Sequence, residues 1–183
     1  MIEVEKSFDP SPEQLARILD GAEFLGETLN HDVYYDYPDL RLAKQKIKLR
    51  VRNGVPELKI EKSETVDNEI EDEEEIKQFF GIQIPLNEFI KNELIEIINY
   101  KNVRRKYKKE GIKIDVDNLD FGMQSCDFEV MVHDVREIPH AEEKIFTFAR
   151  SVGLDPKAQN IGKRRVYLKK FKPEVYNEIY GEK

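Results

Sequence analysis

Cysteine occurs once in this chain of 183 residues, at Cys126. A lone thiol excludes internal disulfides and a thiolate metal cluster, and it fits a reducing compartment; packing is the role expected of it. Histidine is scarce as well. His31, His133 and His140 lack the spacing of a metal pair, which argues against a His-based enzyme or a nuclease. No stretch approaches eighteen apolar residues, and Met1-Ile2-Glu3-Val4-Glu5 has no basic segment followed by an apolar run. Neither a membrane-spanning helix nor a signal peptide is therefore expected. Low-complexity tracts and fixed-period repeats are missing too. An excess of positive charge is also lacking: 30 Lys and Arg against 37 Asp and Glu leave a formal charge of -7. Bulk nucleic-acid binding is disfavoured on that ground, although a local basic groove is allowed. With 39% hydrophobic residues the chain can bury one good core. The expectation is a single domain over 1–183, a cytoplasmic monomer without nucleic-acid or membrane partners.

What is present is organised around Lys46-Ile47-Lys48-Leu49-Arg50-Val51-Arg52, followed by Asn53-Gly54 and Glu57-Leu58-Lys59-Ile60-Glu61. Alternation of apolar and polar residues is the period of a strand, and Asn-Gly between two such runs predicts a hairpin. Lys46, Lys48, Arg50 and Arg52 then share one face, joined by Lys59, with Ile47, Leu49 and Val51 on the other. A basic row on a wet strand face usually does no more than keep a protein soluble. Four acid-x-acid pairs shift that balance: Glu3-Val4-Glu5, Glu69-Ile70-Glu71, Asp115-Val116-Asp117 and Asp127-Phe128-Glu129. Two carboxylates two residues apart on one face lie about 6.6 Å apart, roughly 2.5 kcal/mol of repulsion at an effective dielectric of ~20. A divalent cation would remove that cost.

Taken in order, Ile2 to Phe8 predicts a strand with Glu3, Glu5 and Ser7 on one face. Ser11, Pro12 and Gln14 predict the capped start of a helix ending near Gly21. Ala22 to Tyr37 reads as a long extended run, with Tyr34, Tyr35 and Tyr37 as packing residues, and a short turn or helix falls near Asp39 to Ala43. Thr65 to Glu71 reads as a strand, and helices follow over Asp72 to Phe80 and from Pro85 to about Leu94. Ile95 to Lys109 and Ile112 to Asp117 form a second hairpin across Glu110-Gly111, with Asn118 to Ser125 as a loop. Asp127 to His133 is a strand, Pro139 to Val152 an amphipathic helix, and Pro173 starts a last one. About eight strands joined by short turns or helical inserts favour an α+β fold: a closed eight-stranded antiparallel β-barrel, or tunnel, with helices packed outside.

Taken together and in order, several segments resemble the CYTH superfamily, the triphosphate tunnel metalloenzymes, and within it the thiamine triphosphatases. They are Glu3-Val4-Glu5, Tyr34-Tyr35-Asp36-Tyr37-Pro38, Leu49-Arg50-Val51-Arg52 with Glu57-Leu58-Lys59, Ile114-Asp115-Val116-Asp117 with Asp120-Phe121-Gly122, Asp127-Phe128-Glu129 to His133, and Lys163 through Val166-Tyr167-Leu168. The resemblance implies metal-dependent hydrolysis of the terminal phosphate of a small triphosphate, thiamine triphosphate to thiamine diphosphate. By the same likeness Arg50, Arg52, Lys59, Arg105 and Lys163 bind the triphosphate. Glu3, Glu5, Glu69, Asp115, Asp117, Asp127 and Glu129 hold metal, with Glu5, Glu129 and Asp115 catalytic. Oxygen-only ligands suit Mg²⁺, or Mn²⁺.

Two positions depart from the family's pattern. Ser7 stands where a Lys is usual, and Lys48 stands where vertebrate members carry a Trp that can stack on thiamine; this chain has no Trp. Inorganic tripolyphosphatase is therefore kept as an alternative, with a class IV adenylate cyclase-like enzyme and a non-catalytic polyphosphate-binding module behind it.

Overall fold

Strand period and turn chemistry produce the elements where the residues demand them. The computed structural model describes residues 2–63, 65–158 and 160–181. The strands are β1 (Ile2–Phe8), β2 (Glu23–Asp36), β3 (Ile47–Arg52), β4 (Val55–Glu61), β5 (Asp67–Ile70), β6 (Ile95–Lys109), β7 (Ile112–Leu119) and β8 (Gln124–Val132). The helices are α1 (Pro12–Leu19), α2 (Arg41–Lys44), α3 (Glu73–Phe80), α4 (Leu86–Glu93), α5 (Ile138–Ser151), α6 (Lys163–Phe171) and α7 (Pro173–Tyr180). At the start of α1, Gln14 N–H donates to Ser11 Oγ at 3.3 Å and Ser11 N–H to Gln14 Oε1 at 2.8 Å, the reciprocal pair that satisfies two orphan donors. Gly81, at φ 66°, closes α3 in the left-handed conformation that costs a glycine least.

Both tight hairpins turn on two residues with positive φ. Asn53 and Gly54 (51° and 87°) bring Arg52 opposite Val55, and Glu110 and Gly111 (53° and 70°) bring Lys109 opposite Ile112. All eight strands join one sheet in the order β1-β8-β7-β6-β2-β3-β4-β5, and every register resolved in it is antiparallel. The two end strands are brought back together at an isolated antiparallel bridge from Val4 to Val66, next to the start of β5, with Glu5 N–H donating to Thr65 O at 3.0 Å. The closed barrel expected from the sequence is thus a nearly closed one, whose seam carries one isolated bridge and, among the described residues, no ladder, so it is left unsealed. Thr65 and Val66 belong to that bridge and not to β5, which is shorter than the predicted strand.

Three other boundaries move. Lys46 has φ 61° and precedes β3, so its side chain leaves the basic row and pairs, largely exposed, with Glu61 at 3.5 Å. The predicted loop over Asn118 to Ser125 shrinks because Asn118 pairs with Gln124, extending both strands. The short helix near Asp39 to Ala43 lies at Arg41–Lys44.

By contacts the chain divides into two compact units, each assembled from several segments: 1–29, 62–67 and 102–162, and 30–61, 68–101 and 163–183. The first has its core where Val4 and Phe8 of β1, Ile114 and Val116 of β7 and Phe128 of β8 meet Ile18 of α1 and the inward face of α5. That face is Ala141, Ile145, Phe148 and Ala149, as the helical spacing predicts. The second unit packs Leu49 of β3 and Leu58 of β4 under Ile76 of α3 and Leu86 and Phe89 of α4. In each, the strand face turned away from these cores carries most of the charged residues, Lys6 of β1 being an exception by parity. No helix of the described residues is long and apolar enough to cross a membrane.

Candidate active site

In the first unit the parity of three adjacent strands sorts the side chains. The apolar even-numbered residues of β1, β7 and β8, such as Val4, Phe8, Ile114, Val116 and Phe128, enter the core, so Glu3, Glu5 and Ser7, Lys113, Asp115 and Asp117, and Asp127 and Glu129 share the opposite face. Register puts Glu5 directly opposite Glu129, Asp127 between Ser7 and Asp115, and Lys113 opposite Glu129. One carboxylate oxygen from each of Glu3, Glu5 and Glu129 lies within 4.8 Å of the other two. Asp115, Asp117, Asp127 and Glu129 are buried. Burial and then the charges of Asp115, Glu3 and Glu5 push the Glu129 carboxyl up to about 8, against the lowering effect of Lys113.

Arg104 of β6 balances the rest of this face. Its guanidinium donates to Asp117 Oδ1 and Oδ2 at 2.7 Å each, to Asp115 Oδ2 at 2.7 Å and to Asp127 Oδ2 at 3.5 Å. Although burial works against its charge, the Asp117 hydrogen bonds and the three neighbouring carboxylates hold its pKa above the ordinary arginine value. Ser7 Oγ donates to Asp127 Oδ1 at 2.7 Å, so the hydroxyl at this position fixes a carboxylate. Asp115 Oδ1 is buried without a hydrogen-bond partner. A compact set of three carboxylates, all oxygen donors, beside an orphaned carboxylate oxygen fits a hard divalent ion such as Mg²⁺ or Mn²⁺.

In the second unit the hairpin of β3 and β4 places Arg50 opposite Glu57 and Lys48 opposite Lys59, while β2 places Tyr34 opposite Arg50 and Asp32 opposite Arg52. Arg50 forks onto Glu57, through Nε at 2.8 Å and Nη2, and lies 3.8 Å from Asp32 and 3.9 Å from Glu69. Arg52 grips Asp32 in a bidentate pair at 2.7 and 2.8 Å. Lys59 Nζ lies 3.2 Å from Glu69. The repulsion within the basic row is answered by carboxylates of the same chain, so the row by itself does not demand an external anion. Tyr34, buried, reaches Arg50 at 3.5 Å and Tyr100 at 3.4 Å through its hydroxyl, with the Arg164 guanidinium 5.4 Å from its ring. Arg164 Nε is buried without a partner.

Of the residues put forward from sequence, Glu3, Glu5, Glu129, Asp115, Asp117 and Asp127 come together on one face of the first unit; in the second, Glu69 lies beside Arg50 and Lys59, and Asp32 joins Arg50 to Arg52. Lys163 opens α6 and is partly buried. Arg105 is placed elsewhere: it points away from the carboxylates, half exposed, and pairs with Glu27 at 2.7 Å. Arg104 is the side chain that meets them. Hairpin counting carries that signal, since a two-residue turn at Glu110-Gly111 pairs 104 with 117 and puts 105 on the other face. Glu57 and Asp32, which orient the two arginines, were not expected; Glu57 is legible from the Asn-Gly register, whereas Asp32 needs the pairing of β2 with β3.

The sequence model of a family described as the CYTH domain matches residues 1–160. The chain belongs to the CYTH family. Among CYTH relatives it is similar to the thiamine-triphosphatase of Homo sapiens, 26% identical over 98% of this chain and 89% of the human protein. The thiamine-triphosphatase of Macaca fascicularis is 27% identical over the same shares. Among solved structures, the PH1819 protein from Pyrococcus horikoshii OT3 superposes with a TM-score of 0.65 at 25% identity, covering 84% of this chain and 91% of that one. HpAC1 from Hippeastrum, described as having a dominant triphosphatase activity, superposes with a TM-score of 0.57 at 19% identity, covering 96% and 94%. The latter likeness bears on the fold alone.

Proposed function

We propose that the chain is a metal-dependent triphosphatase that releases the terminal phosphate of a small linear triphosphate, with thiamine triphosphate as the substrate and thiamine diphosphate and phosphate as products. The observation that carries this reading is the Glu3, Glu5, Glu129 set beside the unpartnered Asp115 Oδ1. Glu3, Glu5 and Glu129 would hold Mg²⁺, or Mn²⁺, which when bound neutralises charge on the transferred phosphoryl group. Arg50, Arg52, Lys59 and Lys163 bind phosphate oxygens. Arg50 and Arg52 reach them pre-oriented by Glu57 and Asp32. Water attacks the terminal phosphorus, the bridging P–O bond breaks, and Asp115 Oδ1 accepts the water's proton. Asp117 and Asp127 act through Arg104, and Glu69 through Lys59. On the same reading the chain works as a cytoplasmic monomer on a small molecule, without nucleic acid or membrane, as its formal charge of -7 suits.

One observation favours a second substrate. Lys48 lies opposite Lys59 and the chain has no Trp, so this part of the row offers cations where an organic leaving group would want an aromatic face. Inorganic tripolyphosphate suits that surface. Phosphate release from thiamine triphosphate, tripolyphosphate and ATP, each with Mg²⁺, Mn²⁺ and excess EDTA, separates the readings. The expected result is metal-dependent phosphate release from thiamine triphosphate. A higher kcat/KM for tripolyphosphate selects the second substrate, pyrophosphate from ATP marks a cyclase, and tight polyphosphate binding without turnover marks a binding module. Glu5→Gln is expected to abolish turnover. Arg52→Lys, which keeps a charge beside buried Asp32, is expected to raise KM more than it lowers kcat.

A further inference from the structure

Lys113 puts an ammonium on the carboxylate that completes the acidic set. It stands directly opposite Glu129 in the β7–β8 register, its Nζ bonds Glu129 Oε2, and it lies 3.7 Å from Asp115 Oδ2. A divalent ion that takes Glu3, Glu5 and Glu129 as ligands therefore meets one of its oxygens already bonded to a cation. Two cations on one carboxylate repel whichever of its oxygens each takes, and the less firmly held one yields. The contrast with Arg104 shows which cation can yield. Arg104 has 14% of its side chain exposed and is tied to three carboxylates, whereas Lys113 has 41% exposed and ends in an ammonium on a flexible stem.

We propose that Lys113 is a resident cation of the acidic set, bonded to Glu129 before a divalent ion arrives and displaced when it binds, so that this side chain sets the affinity of the set for the ion. The proposal rests on the reading that Glu3, Glu5 and Glu129 hold a divalent ion. It adds a cost to metal loading: the ion must replace a charge-assisted hydrogen bond as well as shed water. Lys113 is thus a positioning residue, holding Glu129 in place while the set is without metal.

The test is calorimetric titration of the full chain with Mn²⁺, for the parent, Lys113→Met and Lys113→Arg, together with melting temperatures in EDTA and in Mn²⁺. Loss of the competing ammonium is expected to tighten Mn²⁺ binding about tenfold in Lys113→Met, the size of one charge-assisted bond. Lys113→Arg, which keeps a cation on Glu129, is expected to stay near the parent. In EDTA the Met variant is expected to melt below the parent, and Mn²⁺ is expected to raise its melting temperature more. If Lys113→Met does not fold, Lys113→Gln should show the same tightening. Mn²⁺ binding by the parent with equal or weaker affinity in the Met or Gln variant overturns the proposal and leaves the metal reading standing. Failure of the parent and all variants to bind Mn²⁺ overturns both.

Discussion

The Glu129 carboxyl is shaped by its neighbours more than by its own chemistry. Its pKa is raised from 4.5 to about 8, so in the metal-free protein the group keeps its proton to higher pH than in an unfolded chain, and its pairing with Lys113 gains full charge as that proton leaves. The folded state then binds more protons than the unfolded one, and stability falls as pH rises from about 4.5 to about 8, levelling off above. Thermal unfolding in EDTA at pH 5 and pH 8 is expected to show that loss in the parent and a smaller one in Glu129→Gln, which cannot ionise. An equal loss in both would place the pH dependence at another group. Arg104 presents the opposite case, a buried cation whose removal strands Asp115, Asp117 and Asp127. Arg104→Leu is expected to cost about 3–5 kcal/mol in denaturant unfolding. Arg105→Ala, on the exposed face with Glu27, is expected to leave the midpoint nearly unchanged. Strand parity made the carboxylates of β1, β7 and β8 legible in the sequence, and hairpin counting makes Arg104 so. The pairing of Lys113 with Glu129 was not legible, because it needs the β7–β8 register across a turn whose length the pattern misjudged.

Elements were legible where local chemistry decides them. The capping residues of α1, the Asn53-Gly54 and Glu110-Gly111 turns, and the inward face of α5 follow from spacing alone. Lys46 and the Thr65–Val66 pair were misplaced because tertiary hydrogen bonding, not pattern, decides them: Glu61 N–H donates to Lys46 O, and Glu5 N–H to Thr65 O. The amphipathic pattern of α5 has an energetic consequence. Phe148 is 3% exposed, and its ring centroid lies 5.1 Å from that of Phe128 on β8, the strand that carries Asp127 and Glu129 on its other face. Phe148→Ala is expected to cost about 3–5 kcal/mol, read as a lower denaturation midpoint with an unchanged slope. Loss of the contact also loosens the back of the strand that presents Glu129. Weaker Mn²⁺ binding in the still-folded variant is therefore expected, and unaltered affinity would show that β8 is held by its ladders with β1 and β7 alone.

At the scale of the molecule, contacts and connectivity pull in different directions. Two units have separate apolar cores, one under α5 and one under α3 and α4. Yet the segments of each unit interleave along the chain, and β2 and β6 run through both, as neighbours in one continuous eight-stranded sheet. Unfolding either core frays strands that the other needs, because a strand that loses half its length loses its ladder partners as well. The whole chain is therefore expected to unfold in one step. Phe148→Ala in the first core and Leu58→Ala in the second, the latter expected to cost about 2–5 kcal/mol, should both move the same transition. Guanidinium unfolding followed by far-UV circular dichroism and by tyrosine fluorescence, the natural probe in a chain with eight Tyr and no Trp, checks this directly. Coincident curves that shift together in both variants are the expected outcome. If Phe148→Ala moved an early step and left a later one in place, the interleaving of the chain would not couple the cores. The carboxylate set and the basic row could then be lost one without the other.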